Sequence, residues 1–180
     1  MPRPAAQRLV SERLTLEPLS LEHAARMVAV LADEALYEFT GGEPPTLERL
    51  QSRYAAQVVG GSADGAEWWL NWMVTRRDSG ASVGFVQATV RAGTNGSVAD
   101  DSVADLAWVI SGPHQGQGLA SEATGAMMLW LRSHGVTRFT AFIHPDHGAS
   151  QAVARHQDFY PTDQVHDGEI RWESGQPASQ

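Results

Sequence analysis

The sequence predicts an α/β domain of the α+β kind, with a mixed, mostly antiparallel central sheet and helices on both of its faces. Three observations lead there. Strand patterns follow one another at 68–75, 82–90 and 104–110 with no helix between them, as antiparallel neighbours do. Two helical patterns precede them. A strand, a helix and a further strand then run from 104 to 143, a crossover that adds a parallel pair to the same sheet.

Each element has its own signal. Arg13 to Leu19 (RLTLEPL) alternates apolar and polar residues and meets Pro18, giving a short first strand. Ser20 is placed to cap a helix reaching about Ala32, and Glu22 in its first turn suits the helix dipole. Residues 40–45 (TGGEPP) form a loop. Thr46 caps the next helix, which runs to about Val59 and stops at Gly60-Gly61. WWLNWMVT at 68–75 is rich in β-formers. Trp68, Leu70 and Trp72 share one face, and Trp69, Asn71 and Met73 the other. Core packing is their default role, with an acceptor cleft or a partner subunit as the alternative.

The turn Arg77-Asp78-Ser79-Gly80 joins this strand to SVGFVQATV at 82–90. Residues 92–101 read as a loop and ADLAWVI at 104–110 as a strand. Leu119 to Ser133 is a helix, because Leu119, Ala123, Ala126, Met127 and Trp130 recur at helical spacing, and Gly135 ends it. VTRFTAFI at 136–143 is a strand, and Ala149 to about Gln157 a short helix. QVHDGEIRWE at 164–173 is a hairpin around Asp167-Gly168. The expected organisation is one domain over 1–180, with an ordered core at about 8–173 and loose ends.

Composition narrows the function. The 180 residues are 42% hydrophobic and 19% charged, which is ordinary for a folded domain. Net charge is -8, all 13 basic residues are arginine, and no basic stripe exists, so nucleic acid is a poor partner. An acidic surface favours an amine-bearing substrate and also simply serves solubility. With no cysteine, disulfides, thiolate metal sites and cysteine nucleophiles are excluded. The opening MPRPAAQRLV lacks a signal-peptide core and no run is long enough to span a bilayer. The expectation is a cytoplasmic protein without membrane partners.

The informative segment is Trp108 to Ala120, WVISGPHQGQGLA. A strand ends, the chain turns through Gly112, Gly116 and Gly118, and a helix begins near Leu119. Glycines permit positive φ and close backbone approach. The first helical amides have no internal partners, and with the helix dipole they form a site for a pyrophosphate. A ligand-free connection is the alternative. Neither the dinucleotide fingerprint nor the Walker pattern is present.

Gln115-Gly116-Gln117-Gly118-Leu119-Ala120 resembles the Q/R-x-x-G-x-G/A signature of the GNAT superfamily of N-acetyltransferases. Ile143-His144-Pro145-Asp146-His147-Gly148-Ala149-Ser150, with Val153 and Phe159, is similar to a later stretch of that family. The opening RLTLEPL, a helix and GGEPPTLERL resemble the branch named for ribosomal-protein N-terminal acetyltransferases. The resemblance spans about 8–173. His147 replaces the family's asparagine and Asp158 its glycine.

The resemblance implies a set of roles. The backbone of Trp108, Val109 and Ile110 pairs with the pantetheine arm of acetyl-CoA or another acyl-CoA, where the strand splays from its neighbour. The amides of Gln115, Gly116, Gln117, Gly118, Leu119 and Ala120 hold the pyrophosphate. The Val109 amide polarises the thioester carbonyl, Ser150 serves the leaving thiolate, and His147 touches cofactor or acceptor. Without cysteine, an amine attacks the thioester directly, which requires a base. Asp105 is the first candidate, with a solvent-facing strand residue as its alternative reading; Glu38 and Glu43 follow, and Tyr160 is a candidate phenolic acid.

His144-x-x-His147, with His156 nearby, lacks the third ligand a metal site needs, so no metal is expected. The expected function is N-acyl transfer to a primary amine of a small molecule or a peptide N-terminus. A carrier-protein donor, a homodimer, a non-catalytic acyl-CoA-binding regulatory module and a structural dimerisation domain stay open. The acceptor cleft depends on residues 33–45, the 92–101 loop and the C-terminal hairpin, none of which carries a readable code.

Overall fold

A computed structural model describes residues 4–91 and 102–174 of the chain. The expected loop at 92–101 lies outside the described residues. Among these residues eight strands form one sheet in the order β1-β2-β3-β4-β5-β6-β8-β7. They are β1 (Leu9–Val10), β2 (Leu14–Pro18), β3 (Glu67–Arg76), β4 (Ser82–Arg91), β5 (Val103–Ile110), β6 (Arg138–Ile143), β7 (Phe159–His166) and β8 (Glu169–Ser174). Only β5 and β6 pair in parallel; every other neighbour is antiparallel. The two-residue β1 was not expected, since a pair that short carries no period.

Among the described residues four α-helices cover the sheet: α1 (His23–Val30), α2 (Leu47–Gln57), α3 (Leu119–Ser133) and α4 (Gly148–His156). Alternation along β3 decides which side each takes. Trp68, Leu70 and Trp72 pack with Ala123, Met127 and Leu131 of α3 and Ala154 of α4. Met73 points the other way, into Ala24 and Met27 of α1 and Leu50 and Tyr54 of α2. Core packing therefore accounts for Trp68 and Trp72, while Trp69 is half-buried on the α2 side and donates to Glu67 Oε2 at 3.2 Å. Burial drives the Tyr54 phenol up to about 12.

Thr46 caps α2 as expected, its side chain accepting the Arg49 amide at 3.2 Å. Ser20 does not cap α1. The helix starts at His23, and the Ser20 amide donates to His23 Nδ1 at 3.1 Å. His23 Nε2 lies 3.2 Å from Glu17. An accepting Nδ1 leaves the proton on Nε2, so the imidazole is neutral and donates to the carboxylate.

Burial, helped by the Arg26 charge and opposed by Glu17, lowers the His23 pKa. The unfolded imidazole titrates near about 6.5, so below that pH the unfolded chain binds a proton the folded chain refuses. Stability then falls as pH falls toward the lower folded value. Urea unfolding between about pH 8 and 5.5 is expected to show this loss, and His23→Asn to make it shallower.

Candidate active site

β5 and β6 pair only at their beginnings, Val103 to Asp105 against Arg138 to Thr140. Beyond that point β5 stays on β4 as far as Ile110, while β6 stays on β8 as far as Ile143. The two strands part and leave a wedge. One wall is the outer edge of β5 from Leu106 to Ile110, and the other is β6 from Ala141 to Ile143.

The ladder phase decides which backbone groups face the wedge. Ser111 donates its amide to the Val83 carbonyl at 2.8 Å, extending the β4–β5 pairing by one step. Antiparallel residues alternate between bonded and non-bonded pairs. Ser111, Val109 and Ala107 therefore face β4, and Trp108 and Ile110 face outward. The Ile110 carbonyl shows this independently, since it accepts from Gln115 Nε2 at 2.8 Å. This corrects the expectation for Val109. Its amide is directed toward Phe85, and the amides of Trp108 and Ile110 stand at the open edge.

The edge leads into the glycine turn. Gly116 and Gly118 have φ of 72° and 76°, the left-handed region that favours glycine. Gly118 is the N-cap of α3, and its carbonyl accepts the Glu122 amide at 3.0 Å. The amides of Leu119, Ala120 and Ser121 thus have no partner within the helix. The Gln115 amide, expected among the ligand-facing amides, is already used by the Gly112 carbonyl at 3.1 Å.

Arg13, immediately before β2, braces this turn. Its backbone amide and Nε each donate to the Glu122 carboxylate at 2.7 Å, and its Nη1 donates to the Gln117 carbonyl at 2.9 Å. The Ser11 hydroxyl adds a 2.6 Å bond to Glu122. Burial acts to raise the Glu122 pKa, but these Ser11 and Arg13 donors outweigh it and hold the carboxyl below its ordinary value.

The cavity over the wedge has a volume of about 1680 Å³, beyond the roughly 300–1,000 Å³ of a site for one small ligand. Its lining contains Trp108, Val109, Ile110, Gln115, Gly116, Gly118, Leu119, Ala120, His147 and Ser150, and omits Gln117 and Asp105. Ser150 comes from the first turn of α4. Residues 33–43 form the far wall. Phe39 from that wall stacks on His147, ring centres 4.6 Å apart, and meets His144 at 5.5 Å, so the wall touches the β6–α4 turn across the wedge. Burial and the neighbouring His144 lower the His147 pKa, and its Nδ1 is buried without a protein partner.

Several acids were candidates for the base. Asp105 sits at the apex, where β5 and β6 last pair, and accepts from Thr140 Oγ1 at 3.0 Å. Burial raises its pKa and the Thr140 bond opposes the rise. Glu43 lines the cavity but is ion-paired with Arg49. Glu38 lines it as well. Tyr160 lies on β7 opposite Glu173 and away from the lining.

Glu169, the first residue of β8, is a cavity-lining carboxyl that the sequence did not single out. Burial, reinforced by the Asp105 and Asp167 charges and opposed by His144 and His166, raises its pKa. Among the described residues no group of three or more His, Cys, Asp or Glu is arranged to hold a metal ion. No helix among them is long and apolar enough to cross a membrane.

Comparison with known proteins decides the family. The family model described as the acetyltransferase (GNAT) domain matches residues 13–160. The chain belongs to the GNAT acetyltransferase family. A Bordetella pertussis protein described as a GnaT-family acetyltransferase is 26% identical, with a TM-score of 0.68 over 94% of this chain and 99% of that one. An acetyltransferase from Thermus thermophilus is 20% identical, TM-score 0.69, over 93% and 97% of the two chains. A RimL ribosomal-protein α-N-acetyltransferase in complex with coenzyme A is 18% identical, TM-score 0.73, over 93% and 96%. The last two likenesses concern the fold. No protein of curated function matches the chain. As a GNAT acetyltransferase this protein is an acyl-CoA-dependent enzyme, and the wedge with its glycine turn lies within the matched residues.

Proposed function

We propose that this GNAT enzyme transfers an acetyl or related acyl group from acyl-CoA to a primary amine by direct attack, within the wedge. One observation carries the reading: the open edge of β5 runs directly into the glycine cradle at Gly116–Ala120. An extended pantetheine arm finds backbone partners at Trp108 and Ile110, and a pyrophosphate finds the unpartnered amides at the start of α3. A neighbour of the same fold, RimL, is bound to coenzyme A.

In this scheme the amides of Trp108 and Ile110 are the donors available to the thioester oxygen. Glu169 takes the proton of the attacking amine. The C–N bond forms as the C–S bond breaks, and the Ser150 hydroxyl hydrogen-bonds the departing thiolate, which takes its proton from solvent. The cavity is large enough for an acceptor beside the pantetheine arm. Its acids, Asp33, Glu38, Glu43, Asp146 and Glu169, outnumber its arginines, Arg49 and Arg53, which suits a cationic amine, whether on a small molecule or at a peptide N-terminus.

Thermal unfolding with acetyl-CoA, coenzyme A and phosphopantetheine tests the reading. Ligand at a hundredfold excess over its Kd is expected to raise Tm by about 5–10 °C. Gly118→Val should abolish the shift, because Gly118 holds φ of 76°. A shift with phosphopantetheine but not with the coenzyme A forms would favour a carrier-protein donor. No shift with any of the three would remove the acyl-CoA reading.

A further inference from the structure

Arg13 immediately precedes β2, outside the signature that forms the cradle, and does not line the cavity. It nevertheless makes contact with the cradle's backbone, where Nη1 donates to the Gln117 carbonyl at 2.9 Å. The peptide bond between Gln117 and Gly118 is trans. In a trans peptide the C=O and the N–H point in opposite directions. A bond that pins the Gln117 carbonyl on the outside of the turn therefore fixes the Gly118 amide on the inside, and it is Gly118, not Gln117, that lines the cavity.

The guanidinium is itself held in place. Glu122 grips Arg13 through its Nε and its backbone amide, both at 2.7 Å, and Ser11 supports the carboxylate at 2.6 Å. Nη2 lies against Gly118, 3.5 Å from where a Cβ would stand. Gln117 is tied a second time, its Oε1 accepting from Arg76 Nη1 at 2.9 Å. Two arginines, one before β2 and one at the end of β3, thus converge on one residue of the turn. A charged donor on a carbonyl also polarises the amide at the far end of the same peptide, which strengthens its hold on an anion.

We infer that Arg13 is a positioning residue of the phosphate cradle, holding the Gln117 carbonyl outward so that the Gly118 amide faces the pyrophosphate. The inference rests on the acyl-CoA reading above. Glu122 aims Arg13 and does not meet the ligand.

Calorimetric binding of three probes separates this role from a structural one. Coenzyme A carries the pyrophosphate, dephospho-coenzyme A keeps it without the 3′-phosphate, and pantetheine lacks both. Arg13→Gln is expected to weaken coenzyme A and dephospho-coenzyme A about tenfold each while the pantetheine Kd stays within about twofold. Arg13→Lys, which keeps the charge but not the forked geometry, should recover part of the loss. Equal weakening of all three probes, or no weakening of any, would overturn the inference. Wild-type protein that binds none of them would instead overturn the acyl-CoA reading. If Arg13→Gln does not fold, Glu122→Gln supplies the same comparison, with the same selective loss expected and the same outcomes deciding against it.

Discussion

Gly84→Ala is expected to destabilise the fold by about 3 kcal/mol and to abolish coenzyme A binding in the protein that still folds. A Cβ at Gly84 would stand 1.9 Å from the Val109 carbonyl oxygen, 2.9 Å from its carbon and 3.0 Å from Ile110 Cα. All three are backbone atoms, so no side-chain rotation relieves the clash. Relief must come from moving β4 against β5 where Gly84 pairs with Ile110. The displaced segment is the one whose outer edge faces the wedge, so packing damage and loss of binding share one cause. Gly148→Ala is the contrast, because nothing lies within 4 Å of a Cβ there and the residue opens α4. It should leave stability within about 0.5 kcal/mol of wild type. Urea unfolding of both variants, with the coenzyme A thermal shift, checks the pair. Near-wild-type stability in Gly84→Ala would mean that the β4–β5 ladder yields more easily than this geometry allows.

Local chemistry explains which parts of the fold were legible. α3 was readable to the residue because glycines bracket it, Gly118 as the left-handed N-cap and Gly135 after its end. α2 was readable because Thr46 caps it locally. The start of α1 was misread because the acceptor for the Ser20 amide is an imidazole, and its choice depends on burial and on Glu17. The left-handed turn before α3 was legible from Gly116 and Gly118, and the parting of β5 from β6 followed only from the family resemblance. The phase of the β5 edge was not legible at all. Val109, Trp108 and Ile110 are all apolar, and nothing in their order says which amide faces β4. Glu169 was hidden for a similar reason: it joins the cavity because β8 inserts beside β6 rather than following β7 to the sheet edge, a pairing made far along the chain from the motif.

Glu169→Gln is expected to lower kcat about 10²–10³-fold, with little change in the affinity for acyl-CoA, against an acceptor found by an amine screen. An amine must be neutral to attack, and several of the other candidate bases are engaged elsewhere. His144 Nδ1 already accepts the Asp146 amide at 3.1 Å. His147 is stacked on Phe39, and its lowered pKa makes it a weaker base. Glu43 is ion-paired with Arg49, and Asp105 is tied to Thr140 at the apex. Glu169 lines the cavity, and burial raises its pKa, which brings a carboxylate nearer to the working pH and makes it the better base. The sign of the pH dependence follows. Below the Glu169 pKa the base is protonated and inactive, so wild-type kcat should fall on the acid side at a pH higher than an ordinary glutamate would set. Glu169→Gln should lose that limb and keep the alkaline rise set by the amine itself. Asp105→Asn is the companion variant. If it costs more activity than Glu169→Gln, or if the acid limb survives in Glu169→Gln, the proton goes to the apex residue and not to β8.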